Sequence, residues 1–178
     1  MSDGAITHSV DDTFRLERPR ALDTILYGGL VVGILDGLFA LIFYGLILGA
    51  QPMRIFQSVA AGLLGKASFD GGTRTFLLGV LLHFVVALCI AAVYYAASLK
   101  LPLLIDHAIV SGLVYGMIAY LVMNYVVIPL SAIGYRPSSF RLFLPAFIGH
   151  ALLVGLPIAL LARRSVKANK RDNGEVIA

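Results

Sequence analysis

The sequence predicts an all-α polytopic membrane protein: four transmembrane helices in a bundle, with a shorter amphipathic helix lying in the first external loop. Three observations predict it. Of 178 residues, 59% are hydrophobic and only 13% charged, whereas a soluble domain carries about 25% charged residues. The mean hydropathy is +0.89. The charges gather at the two ends and in short patches between apolar runs, and four of those runs reach the ~20 residues that a hydrocarbon core requires.

The opening stretch, MSDGAITHSVDDTFRLERPR, is polar and of mixed charge. The apolar run behind it is too long for a signal-peptide core, so it is expected to stay as a membrane anchor, with residues 1–22 as a tail. The spans fall at about 24–48, 75–99, 103–128 and 142–162, within a membrane domain of 23–163. Residues 164–178 form a basic tail. The spans must be helices, because an open chain in lipid has to pair every backbone N–H and C=O within the segment.

Lys and Arg set the orientation. Arg15, Arg18, Arg20, Lys100, Arg163, Arg164, Lys167, Lys170 and Arg171 fall on the side of the termini. They outnumber Arg54, Lys66, Arg74, Arg136 and Arg141 on the other side. The positive-inside rule then puts both termini in the cytoplasm. The net charge of +4 comes largely from the ends, and no basic stretch interleaved with aromatics is present, so no nucleic-acid partner is expected. The single cysteine, Cys89, lies within an apolar run; it excludes an internal disulfide and CxxC metal or redox motifs.

The first external loop, QPMRIFQSVAAGLLGKASFDGGTR, is unusual. Pro52 suits a first helical turn. Ile55, Phe56, Val59, Leu63 and Leu64 then recur at helical spacing, with Arg54, Gln57 and Ser58 between them. The pattern predicts a helix over about 52–66, lying in the outer interface or dipping into it. Tyr44, Tyr94, Tyr95, Tyr125 and Tyr135 fall near span ends, as aromatic belts do.

Each span carries one strongly polar side chain well inside it: Asp36, His83, Asn124 and His150. An aspartate at mid-helix costs about 2.5–3.5 kcal/mol on insertion scales, so such residues face protein or water instead of lipid. A rise of 1.5 Å per residue puts His83, His150 and Asn124 ~12–15 Å from the outer ends of their spans, and Asp36 ~20 Å from that surface. The four are expected to form one polar layer in the outer half of the bundle. Small residues flank them at four-residue steps: Gly29 and Gly33 before Asp36, Gly79 and Ala87 around His83, and Gly112 and Gly116 before Asn124. Such stripes let helix backbones approach closely. A further stripe, Ala151, Gly155 and Ala159, is free to meet another helix or another subunit. Tyr115 and Tyr120 are candidate donors to the layer.

The GxxxH step of Gly79–His83, the GLVYGMIAYLVMNYVVIPLSAIGYRP third span and FIGHALL in the last span resemble uncharacterised four-helix bacterial inner-membrane proteins. They resemble the YagU type more distantly. The resemblance covers about residues 25–162 and departs from that type in the shorter, more amphipathic first loop. It implies a bacterial inner membrane and no particular reaction.

The function class expected first is a small membrane scaffold or partner-binding subunit, in which the layer fixes helix register through interhelical hydrogen bonds. The partners are the bilayer and another membrane protein, including a second copy of the chain. The alternative is a small-solute or proton-conducting transporter using Asp36 and the two histidines, which can exchange protons. A third reading is an enzyme acting on lipid, or a haem or metal protein ligated by His83 and His150, since paired imidazoles at matching depth are what a bis-histidine haem needs. No attachment motif supports a cofactor, and no catalytic residue is assigned.

Overall fold

The computed structural model describes residues 19–134 and 139–172. It contains four helices long and apolar enough to cross a membrane: α1 (Leu22–Ile47), α3 (Gly72–Ser98), α4 (Ala108–Leu130) and α5 (Phe140–Asn169). A shorter α2 (Pro52–Leu64) lies between the first two. Among the described residues there is no strand. The chain is an all-α, multi-pass membrane protein. Its outward surface agrees: Leu77, Leu81, Val85 and Val93 line one face of α3, and Val110, Val114, Ile118 and Val122 one face of α4, all exposed. In water such stripes would be aggregation sites. In a bilayer they are the lipid contact.

Glycine sets which helices touch. A Cβ on Gly155 would fall on the carbonyl oxygen of Gly112 and the backbone of Gly116, and one on Gly116 would fall on the carbonyl of His150. The small stripe of α5 therefore meets α4 of the same chain. On α1, Gly29 and Gly33 make room for Leu88 and Phe84 of α3. Thus α1 packs on α3 and α5, and α5 packs on α4, whereas the backbones of α3 and α4 stay apart and meet through the side chains of Tyr94 and Tyr115. The bundle has a loose seam between these two helices.

α2 covers the end of that seam opposite the chain termini. Its buried residues are Ile55, Gln57, Ala60 and Ala61, while Leu63 is 58% exposed and Leu64 is exposed as well. The apolar periodicity located the helix without marking which of its residues would face protein. In a membrane the large apolar side chains are free to face lipid, and the small and hydrogen-bonding ones turn to protein. Gly79 is where α2 sits down, since a Cβ there would meet the Phe56 carbonyl. Gln57, 2% exposed, donates from Nε2 to the Gly72 carbonyl and to Thr75 Oγ1, each at 3.1 Å. At its far end the Gly62 carbonyl accepts from Ala132 N–H at 2.9 Å, beyond α4. α2 thus runs from the end of α1, over α3, to the α4–α5 connection.

Gln57→Leu removes both donated bonds from a buried position. It is expected to destabilise the protein by about 1–3 kcal/mol, read as a lower unfolding temperature in detergent. Leu63→Ala, on the outward face, is expected to stay within about 0.5 kcal/mol of the parent.

The end nearer the chain termini is tied by tyrosines. The fully buried Tyr94 hydroxyl donates to the Leu104 carbonyl at 2.8 Å, and Tyr115 donates to the Ile90 carbonyl at 2.6 Å. The Leu104 carbonyl belongs to a short helical turn, Leu103–Asp106, separated from α4 by a non-helical His107. The third span therefore begins at Ala108 instead of about 103. The fourth runs past 162, because Ser165 and Val166 are buried and Ser165 Oγ accepts from the Arg20 N–H at 3.1 Å. Part of the supposed basic tail is packed helix. Arg15, Arg18, Tyr135, Arg136 and residues 173–178 lie outside the described residues.

Candidate functional site: an intramembrane cavity

The four polar residues of the sequence-predicted layer line one cavity of about 480 Å³. All five helices contribute: Asp36, Phe39 and Tyr44 from α1; Arg54, Phe56 and Ser58 from α2; His83 and Val86 from α3; Tyr120 and Asn124 from α4; and His150 from α5. Its size is that of small-molecule sites, and its lining has their usual form, mostly apolar with a few converging polar groups. The backbone is adapted around it. Met123–Val127 and Ala151–Gly155 are wide, π-type turns, one holding Asn124 and the other directly following His150. Such turns re-aim side chains and recur at functional sites.

The polar side chains do not bond to one another. His83 Nε2 lies 2.8 Å from the Gly33 carbonyl of α1, which fixes it as the N–H donor. Asn124 Nδ2 donates to the Tyr120 carbonyl one turn back, at 2.9 Å. His150 Nδ1 lies 2.9 Å from the Ala146 carbonyl, also one turn back, and is the donor there. Only His83 therefore links two helices. The closest approach within the layer is His150 Nε2 to Asp36 Oδ1, 3.9 Å, too long for a hydrogen bond.

Comparison with known proteins adds no relative: no family model, curated protein or solved structure matches the chain. The site must be argued from its own chemistry.

That chemistry is one-sided. Each of the three nitrogens just named donates to a main-chain carbonyl, and Asn124 Nδ2 keeps a second N–H. With Nδ1 protonated, a neutral His150 presents only a lone pair at Nε2. Asn124 keeps its carbonyl oxygen, His83 keeps Nδ1, and Asp36 is a carboxylate that accepts no hydrogen bond among the described residues. The deep wall is therefore rich in acceptors. Ser58 spends its hydroxyl on the Ile55 carbonyl at 2.6 Å. Among the described residues the exposed Arg54 has no ion-pair partner and sits 5.9 Å from the Phe69 ring centroid. No three His, Cys, Asp or Glu side chains among the described residues come together as a metal site.

Two aromatic walls hold the histidines. The His83 ring meets Phe56 and Phe84 edge-on, at 5.8 and 5.6 Å between centroids. The His150 ring meets Tyr120 at 5.0 Å, and Tyr120 in turn packs on Phe143 and Phe147. Of the two tyrosines expected to support the layer, Tyr120 lines the cavity. Tyr115 does not: it points to the end nearer the termini, where Tyr94 meets it edge-on at 5.0 Å. The sequence also missed Tyr44, Arg54 and Ser58 as lining residues. Arg54 and Ser58 are four apart on α2, a spacing visible in the sequence to which no role was given.

Proposed function

We propose that this protein binds a small molecule inside the membrane and presents it for movement across or within the bilayer. One observation carries the proposal: four polar side chains from four different spans line a single cavity of about 480 Å³. A layer serving only to fix register would spend its hydrogen bonds between helices. Here two of the three bonds stay within their own helix, which supports the solute-binding alternative over the scaffold. The excess of Lys and Arg at the termini supports cytoplasmic ends, and the resemblance to YagU-type proteins supports a bacterial inner membrane.

The test is organic extraction of the detergent-purified protein followed by mass spectrometry. The parent is expected to release one compound in near-stoichiometric amount. Ala40→Trp, which fills the cavity from α1, is expected to release little of it. A parent that releases nothing above the detergent and bulk-lipid background, or a filled variant that releases just as much, would sink the proposal.

A further inference from the structure

The acceptors gathered around Asp36 and the α3–α4 seam together narrow what the cavity binds. Both rest on the small-molecule-binding reading above, and each adds an independent constraint to it.

The first constraint is chemical. His150 Nε2 and the Asp36 carboxylate stand 3.9 Å apart with an acceptor on each side when the imidazole is neutral, because Nδ1–H is held by the Ala146 carbonyl. Two acceptors at that separation repel one another unless a donor lies between them. The Asn124 oxygen and His83 Nδ1 add acceptors to the same cavity, while its remaining nitrogen donors are the second N–H of Asn124 and, at the α2 rim, the Arg54 guanidinium. Tyr44 and Tyr120 also line it, and a hydroxyl can donate or accept. A guest that satisfies this wall must bring hydrogen-bond donors, and beside a carboxylate a positive charge is better still.

The second constraint is the route. α2 spans the end opposite the termini, from α1 to the α4–α5 connection, and the Tyr94–Tyr115 pair with its two carbonyl acceptors fills the end nearer the termini. Between these closures the backbones of α3 and α4 stay apart. The cavity side chains on either flank there are Val86 and Ile90 of α3 and Met123 and Ile128 of α4, all apolar. Next to them on both helices lie exposed lipid-facing residues, Val85 and Val122 among them. An opening lined by apolar groups and flanked by lipid-facing stripes admits hydrocarbon more readily than ions.

We propose that the cavity receives a membrane-dissolved, single-chain amphiphile with an amine- or hydroxyl-bearing head, which enters sideways between α3 and α4. Its head lies between Asp36 and His150, and its chain leaves along Val86, Ile90 and Met123. Only non-covalent contacts form; no bond is made or broken.

The experiment uses the full chain in lipid nanodiscs. Cys89→Ser removes the only native thiol, which is exposed on α3, and Asn124→Cys places a new one in the cavity wall. A lipid-soluble pyrene maleimide is expected to label this cysteine, and a charged, water-soluble methanethiosulfonate to label it at least roughly tenfold more slowly. Val86→Trp, which obstructs the seam, should slow the maleimide. Dodecylamine or dodecanol should protect the cysteine by about tenfold, while laurate, whose head is an anionic acceptor, should not. Asp36→Asn should abolish protection by dodecylamine, with an unchanged gel-filtration profile showing that the bundle is intact. Faster labelling from water than from lipid, or indifference to Val86→Trp, would overturn the lateral route and leave the cavity standing. Protection by laurate equal to that by dodecylamine would overturn the donor-bearing head. Labelling by neither reagent would overturn both this inference and the cavity-binding reading beneath it.

Discussion

Gly155→Val is expected to cost the protein its folded bundle. A Cβ at position 155 would occupy the place of the Gly112 carbonyl oxygen and the Gly116 amide nitrogen, with the Gly116 Cα only 2.7 Å away. These are backbone atoms of α4, which cannot rotate out of the way as a side chain can. Inserting bulk against movable side chains costs about 1–3 kcal/mol. Here two helices must separate instead, and the penalty is expected at or above the upper end of that range. Gly45→Ala provides the contrast. Its Cβ would meet the Ala50 carbonyl oxygen and Ile55 Cδ1 at ordinary contact distances of 3.6 and 3.7 Å, so it is expected to leave stability unchanged or to raise it slightly. Thermal unfolding of the detergent-solubilised variants checks both. A Gly155→Val protein that unfolds at the parental temperature would mean that the α4–α5 contact is not what holds the C-terminal half together.

The same interface shows what the sequence could and could not disclose. Spacing alone marked Gly112, Gly116 and Gly155 as places for close approach, because the absence of a side chain is itself the signal. It could not say which helix would arrive, and Gly155 was left open to a second subunit although its partner is α4 of the same chain. The polar layer was legible for a similar reason. Rise per residue converts position into depth, and four costly side chains at similar depths have few places to go other than one interior space. Their bonding partners were hidden. His83 donates to the carbonyl of Gly33, a residue whose spacing spoke only of packing, and a carbonyl carries no mark in the sequence. α2 was legible as a helix but not as a face. Its periodicity is genuine, but hydrophobicity cannot tell a protein-facing side from a lipid-facing one, so nothing in the pattern marked Gln57 as buried or Leu63 as exposed. Tyr115 shows a limit of depth arithmetic as well: it sits five residues from Tyr120 on α4, far enough round and along the helix to reach Ile90 and the part of the seam nearer the termini instead of the cavity.

Asp36→Asn is expected to raise stability while abolishing ligand capture. The side chains of Asp36 and His150 are 22% and 20% exposed, and the carboxylate has no hydrogen bond among the described residues to offset its removal from water. A charge held at mid-membrane carries a cost of about 2.5–3.5 kcal/mol, reduced where water or a partner reaches it. Replacing it with a neutral amide of the same shape removes that cost, and lets the new NH₂ group donate to the lone pair of His150 Nε2. A gain of roughly 1–2 kcal/mol in unfolding free energy follows, the usual sign of a residue kept for function at the expense of stability. The opposite sign has an equally definite meaning. If His150 is an imidazolium, the pair is a buried ion pair pinning α1 to α5, and breaking it should destabilise the protein by about 3–5 kcal/mol. A double-mutant cycle with His150→Gln separates the two cases: a small coupling free energy indicates two acceptors waiting for a donor, and a large favourable one indicates a strut. Stability and capture moving in opposite directions in Asp36→Asn would establish that the carboxylate serves the cavity. Stability and capture falling together would return the layer to the role of a fastener, which is where its sequence alone had placed it.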